Sequence, residues 1–233
     1  MLNKKNIIIT GNTSGIGLNL NEFLKNKNNI IGISKSNSKI QNNLQIKVNF
    51  KNLDILKKII LKTKIPDKID YLILNAGILG KIDKINNIST NEFLDILKIN
   101  FLSNKILIDI LIKKKIKLKN VVALSSGAAK SGKDGWALYC ASKAAFYQLI
   151  NVYALEQKKI KFINLSPGLA RTKMQDEISQ VKNKDIKSVK KFQQLYRMNK
   201  ILSPKIIAKK IIFFLDNIKE FKSGSFIDLR DFN

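Results

Sequence analysis

Residues 6–17 read N-I-I-I-T-G-N-T-S-G-I-G, from Asn6 through Gly17. The first five form a short apolar run that reads as a buried strand. Glycines follow at Gly11, Gly15 and Gly17, and an amphipathic stretch then continues through Lys25. A glycine-rich turn between strand and helix is the setting in which such glycines have physical meaning. Gly11 permits a tight turn, Gly15 lets the backbone approach a pyrophosphate, and Gly17 lets the helix pack on the sheet. An anion at that turn meets the free N–H groups and positive dipole end of the helix.

Working outward, the same alternation repeats. Strands are expected at residues 29–34, 44–50, 70–74, 120–125, 161–165 and 224–229. Helices are expected at 53–64, at 136–155 and from Ser203-Pro204 to Asn217. A long helix begins at the capping sequence Ser89-Thr90-Asn91-Glu92 and reaches the lysines near 115. Strands alternating with helices predict an α/β fold: one Rossmann-type, doubly wound parallel sheet of about seven strands flanked by helices. No repeat, linker or second domain interrupts residues 1–233. Residues 173–200 are polar and weakly patterned.

Composition narrows the chemistry. Histidine is absent and Cys140 is the single cysteine. Serine-hydrolase triads, histidine bases, internal disulfides and multi-cysteine metal sites are therefore excluded, and no metal is expected. No window is apolar enough for a membrane span, and the N-terminus enters a strand without a signal core, so a soluble cytoplasmic protein is expected. Lys and Arg number 43 against 17 acids, a net charge of +26. Such a charge suits a nucleic-acid binder. The lysines are nonetheless spread along the chain beside abundant Ile and Asn, as compositional drift would leave them. The densest clusters, 113–119 and 182–191, read as solvated helix faces, so no specific nucleic acid is expected as a partner.

Tyr139 and Lys143 stand four residues apart on one helix face. A nearby ammonium favours the phenolate, lowering a tyrosine pKa from its ordinary ~10 towards neutrality. A tyrosine so tuned exchanges protons at working pH. Ser126, thirteen positions earlier, closes a strand and is placed to hold a carbonyl oxygen. With the glycine turn, this S-x12-Y-x3-K pattern resembles the short-chain dehydrogenase/reductase family over nearly the whole chain.

The resemblance implies hydride transfer from a nicotinamide to a carbonyl carbon, with Tyr139 as proton donor, Ser126 bonding the same oxygen and Lys143 assisting. It implies that Asn100 breaks its helix and feeds a proton relay through a water. It places Gly11, Ser14, Gly15, Ile16, Gly17, Asn75, Ala76, Gly77, Tyr139, Lys143, Pro167, Gly168, Leu169 and Thr172 around the cofactor, and makes 173–200 a mobile substrate lid. Asn49 stands where the family usually has Asp beside the adenine, which leaves that contact open. Ser34-Lys35 follows the second strand without the acid that binds a ribose 2′-hydroxyl, so the cofactor leans to NADP(H). A homodimer or homotetramer is implied by resemblance alone.

The string G-W-A-L-Y-C-A-S-K-A-A around Tyr139 looks like the sepiapterin reductase and benzil reductase branch. So does Thr172-Lys173-Met174-Gln175. That branch reduces vicinal dicarbonyls with NADPH, making a small-molecule carbonyl compound the expected substrate. A 3-oxoacyl-carrier-protein reductase is the main rival, since a basic surface suits an acidic carrier. A non-catalytic nucleic-acid-binding or scaffold protein on a dinucleotide fold is the rival from another class. An intact Ser126, Tyr139 and Lys143 argue against it. A sugar-nucleotide epimerase or dehydratase fits neither the glycine spacing nor the short C-terminal part.

Overall fold

Apolar runs buried on both sides become the strands of a parallel sheet, and the computed structural model, which describes residues 2–181, 186–198 and 200–231, shows one. Its strands are β1 (Asn6–Thr10), β2 (Asn29–Ser34), β3 (Leu44–Lys47), β4 (Lys68–Leu74), β5 (Lys117–Leu124), β6 (Lys161–Ser166) and β7 (Phe226–Asp228). Among the described residues they form one seven-stranded sheet in the order β3-β2-β1-β4-β5-β6-β7. All six pairings are parallel.

Helices cover both faces, which is why β1 reads as an unbroken isoleucine run. Ile8 packs with α2 (Leu53–Lys62), α4 (Ser103–Lys113) and α5 (Ala137–Glu156) on one face. Ile7 and Ile9 pack with α1 (Gly15–Leu24) and α8 (Pro204–Asp216) on the other. Between β1 and β4 the strand order reverses, and in open α/β sheets ligands bind in the crevice at that point.

Several boundaries differ from expectation. The third strand stops at Lys47 and the helix after it at Lys62. The long helix from Ser89 is three pieces: α3 (Thr90–Leu97), one π turn over Lys98–Leu102, and α4. Its capping box is present, with Ser89 Oγ accepting from Glu92 N and Glu92 Oε2 accepting from Ser89 N. Residues 113–119 are not a solvated helix face. They span the end of α4, a left-handed turn at Lys115 (φ 57°) and the start of β5. Lys114 Nζ there donates to the carbonyls of Ile60, Leu61 and Thr63 at the C-terminus of α2, where the helix dipole favours a cation. The weakly patterned 173–200 contains two helices, α6 (Lys173–Ser179) and α7 (Lys187–Arg197). Of the 182–191 cluster, residues 182–185 lie outside the described residues, as does residue 199 of the expected lid. Among the described residues no helix is long and apolar enough to cross a membrane.

The crevice is held together by Thr10, fully buried at the end of β1. Its Oγ1 accepts from the backbone N–H groups of Asn75 and Ala76, both at 2.9 Å. Thr10→Val keeps the shape and strands two buried donors, each costing about 1–3 kcal/mol. Urea unfolding should therefore show a loss of about 2–6 kcal/mol, with most of it restored in Thr10→Ser. An unchanged midpoint in Thr10→Val would show that these two bonds do not hold the crevice.

Candidate active site

The floor of the crevice is a close approach of two backbone segments. Asn75 Nδ2 donates to the carbonyls of Thr10 (2.9 Å) and Gly11 (3.1 Å). Gly11 has φ 68°, and a Cβ there would lie 2.9 Å from Asn75 Nδ2 and 3.0 Å from Ala76 Cα. A Cβ at Gly17 would lie 2.3 Å from the Gly11 carbonyl oxygen. Gly17 thus keeps the helix clear of its own turn, a tighter constraint than packing on the sheet. Ser14, extended at φ −153°, makes no side-chain cap to α1, and the first turn carries no acid. That uncapped N-terminus opens into a cavity of about 680 Å³ and fits an anionic pyrophosphate.

At the far end of the cavity, β5 delivers Ser126 and α5 delivers Tyr139 and Lys143. Ser126 Oγ accepts from Ala128 N at 3.1 Å, and Ser126 and Tyr139 line the same end of the cavity, where the serine side chain acts to lower the Tyr139 pKa. Both helix residues are buried, Tyr139 at 9% exposure and Lys143 at 5%. Lys143 Nζ donates to the Leu124 carbonyl at 2.7 Å and lies 5.7 Å from the Tyr139 ring centre.

Burial governs the protonation of both. It pushes Tyr139 up to about 12, offset only in part by the Ser126 side chain. It pulls Lys143 down to about 8. The sequence expects a lowered Tyr139 pKa; in this structure the net direction is upward, because burial outweighs the groups around it. Charge is disfavoured on phenol and amine alike where water is excluded, and the amine's hydrogen bond goes to a β5 carbonyl.

Asn100 lies in the π turn and is buried. Its Oδ1 accepts from Ile78 N (2.9 Å), and its Nδ2 donates to Ile78 O (2.8 Å) and Ser142 Oγ (3.0 Å). Its backbone carbonyl accepts from Asn104 Nδ2 at 2.9 Å, leaving one lone pair for another donor. Asn104 was missed in the sequence because a second Asn, one helical turn on, carries no motif.

Gly11, Ser14, Gly15, Ile16, Asn75, Ala76, Gly77, Ser126, Tyr139, Lys143, Pro167, Gly168, Leu169 and Thr172 all line the cavity, whereas Gly17 and Asn100 stand behind its wall. Ser34, Lys35 and Asn49 lie outside it, at the ends of β2 and β3. Ser34 is buried, its hydroxyl donating to Ser36 O and accepting from Gln45 Nε2. Lys35 is exposed. Asn49 Oδ1 accepts from Lys51 N, so its side chain turns into its own loop. Around Tyr139 the wall is apolar: Leu79, Trp136, Met174, Ile178 and Phe192. Trp136 meets Phe192 at 4.6 Å between ring centres and Tyr139 edge-on at 6.1 Å. Phe192 was legible only through its helical spacing with Val189 and Tyr196.

Residues 5–183 match the family model for short chain dehydrogenases. An uncharacterised oxidoreductase of Schizosaccharomyces pombe is 32% identical, covering 98% of both chains. A benzil reductase ((S)-benzoin forming) of Bacillus cereus is 30% identical over 95% of this chain and 97% of its own. The crystal structure of a short-chain dehydrogenase/reductase from Saccharomyces cerevisiae superposes with a TM-score of 0.84 at 26% identity, covering 97% of this chain and 96% of its own.

The Lys143 shift has a sign that can be tested. Its folded pKa of about 8 lies below the ordinary 10.5, so between those values the unfolded chain binds more protons and stability rises with pH. Below pH 8 the buried amine costs the fold up to about 3 kcal/mol. Lys143→Met should therefore be more stable than the parent at pH 7, with the gain shrinking as pH approaches 10. Chemical denaturation of both proteins from pH 6 to 10 checks this. A difference that stays constant across that range would contradict the burial argument.

Proposed function

We propose, for a chain that belongs to the short chain dehydrogenase family, that it is an NADPH-dependent reductase of ketones or vicinal dicarbonyls with Tyr139 as the proton donor. The observation that carries this reading is the Ser126–Tyr139 hydroxyl pair set against the aromatic and aliphatic wall of Trp136, Phe192, Leu79 and Ile178. Two hydroxyls address one carbonyl oxygen, and the wall suits a bulky apolar substituent beside it. The relative that reduces benzil, an apolar vicinal diketone, supports the same substrate class.

The glycine turn from Gly11 to Gly17 would hold the cofactor's phosphates, Asn75–Gly77 and Pro167–Thr172 its nicotinamide half, and Lys35 its 2′-phosphate. The bound nicotinamide supplies the hydride. Ser126 and Tyr139 then hold the carbonyl oxygen, and Tyr139 transfers its proton to the forming alkoxide. The Tyr139 phenol is protonated at neutral pH, the state from which a reductase starts; burial raises its pKa further, and in the proposed cycle the charge of Lys143 opposes that rise. Lys143, one helical turn away, returns the proton to Tyr139. Asn100, fixed by Ile78, Ser142 and Asn104, borders that route.

Tyr139→Phe should lower turnover of a 1,2-diketone by at least the ~10²–10⁴-fold typical of a general acid, with NADPH binding little changed. A variant that kept most of its turnover would rule out this role for Tyr139. A 3-oxoacyl thioester in the same panel separates the carrier-protein rival, which requires it to be the better substrate.

Lys35→Asp tests the cofactor half. Lys35 is exposed and follows β2 with no acid beside it. A charge-assisted phosphate contact contributes roughly 1.5–3 kcal/mol, so the NADPH-to-NADH affinity ratio should fall about tenfold or more. Titrations of the parent showing NADH bound as tightly as NADPH would overturn the assignment.

A further inference from the structure

The loop at residues 130–136 leads from the Ser126 turn into α5, and its one acid is Asp134. The carboxylate accepts from Lys187 N at 2.6 Å, from Ser188 N at 2.9 Å and from the Ser188 hydroxyl. Those are the opening N–H groups of α7, whose own cap position is Ile186, a residue with no side-chain acceptor. Asp134 therefore caps α7 from a different part of the chain, doing for this helix what a local Ser or Asp does elsewhere. Its neighbour Gly135 completes the seat. At φ 76°, a Cβ there would lie 2.7 Å from the buried Ile186 side chain. One turn beyond Ser188, Phe192 lies on Trp136 at 4.6 Å, and Trp136 is edge-on to Tyr139.

The remaining polar bonds of α7 run sideways to its companion. Gln193 Nε2 donates to Ser179 O and Val181 O, and the Tyr196 hydroxyl donates to Asp176 Oδ1. They join α7 to α6, whose Met174 and Ile178 pack in the apolar cluster around Tyr139, and Arg171 lies over the Tyr196 ring at 4.7 Å. The hydrogen bonds that Asp134 accepts fasten the start of α7 to the loop that leads into α5, the helix bearing Tyr139.

We propose that Asp134 is a positioning residue of the substrate pocket: by capping α7 in trans it seats Phe192 on Trp136 and closes the apolar wall over Tyr139. The proposal rests on the reading above only in taking the Tyr139 end of the cavity as the substrate end. Asp134 touches no reacting atom. Losing it should weaken binding of substrate in ground state and transition state alike, the pattern that raises KM and spares kcat.

Trp136 is the only tryptophan of the chain, so its emission reports the wall without any substrate present. Acrylamide quenching of Asp134→Ala should rise to the level of Phe192→Ala, which removes the covering ring, and the emission should shift to the red. Ser188→Ala and Asp134→Asn, each losing part of the cap, should fall between those variants and the parent. With benzil and NADPH, Asp134→Ala should show a KM raised by about tenfold or more, the equivalent of a lost charge-assisted cap, and a kcat near the parent's. If Asp134→Ala does not fold by circular dichroism, Ser188→Ala and Asp134→Asn carry the decision. Folded variants with parental quenching and parental KM would overturn the proposal. Should the parent leave benzil unreduced, the substrate reading fails while the quenching series still decides the role of Asp134.

Discussion

In a parallel sheet covered by helices on both faces, the interior strands leave backbone polar groups open only at their ends, and the site is a consequence of that constraint. β1 and β4 are neighbours whose following connections diverge. At their C-terminal tips Thr10, Gly11, Asn75 and Ala76 satisfy one another's hydrogen bonds across the gap. The glycines follow from this closeness, since Gly11 and Gly17 have no room for a Cβ against Asn75 and the turn carbonyl. The helix N-terminus that could hold an anion carries no side-chain cap.

The same burial sets the character of the Tyr139–Lys143 end of the cavity. The phenol of Tyr139 and the amine of Lys143 are both driven towards their neutral forms. This is costly for a lysine, which is charged at neutral pH in water, and costs little for a tyrosine, which is neutral there already. A residue kept at such cost in a core with several aliphatic neighbours is a mark of function over stability. The π turn has the same logic. It frees carbonyls from the regular helical ladder, and Ser103 Oγ and Asn104 Nδ2 answer those of Ile99 and Asn100, so the irregularity is held firmly around Asn100.

Much of this was legible in the sequence. The isoleucine runs announced strands buried on both faces, and the spacing of Ser126, Tyr139 and Lys143 sufficed to nominate residues that the fold brings to one cavity. What escaped has a common cause. The π turn at Lys98–Leu102 is invisible because the apolar spacing continues through it. α6 and α7 read as patternless chain because apolar residues of theirs, Met174, Ile178, Phe192 and Leu195, face a pocket instead of the sheet. The Tyr139 shift was given the wrong sign because spacing reports a neighbouring charge but not the loss of water around it.

The charge of +26 also looks different once contacts are known. Lys114 and Lys161 each donate to three carbonyls at a helical C-terminal end. There an ammonium meets partial negative charge and needs no carboxylate partner. A lysine-rich chain can thus use some of its excess cations as caps, and is freed from pairing each with an acid. Of the 17 acids, two gather several donors at junctions. Asp70 is faced by Lys68 and Lys119 while accepting from Asn6 N, and Asp134 gathers three donors at the start of α7. In such a chain a carboxylate that accepts several bonds from one distant element is a stronger pointer to a structural or positioning task than any lysine cluster. Scarcity makes the acid informative, where abundance makes the lysine uninformative.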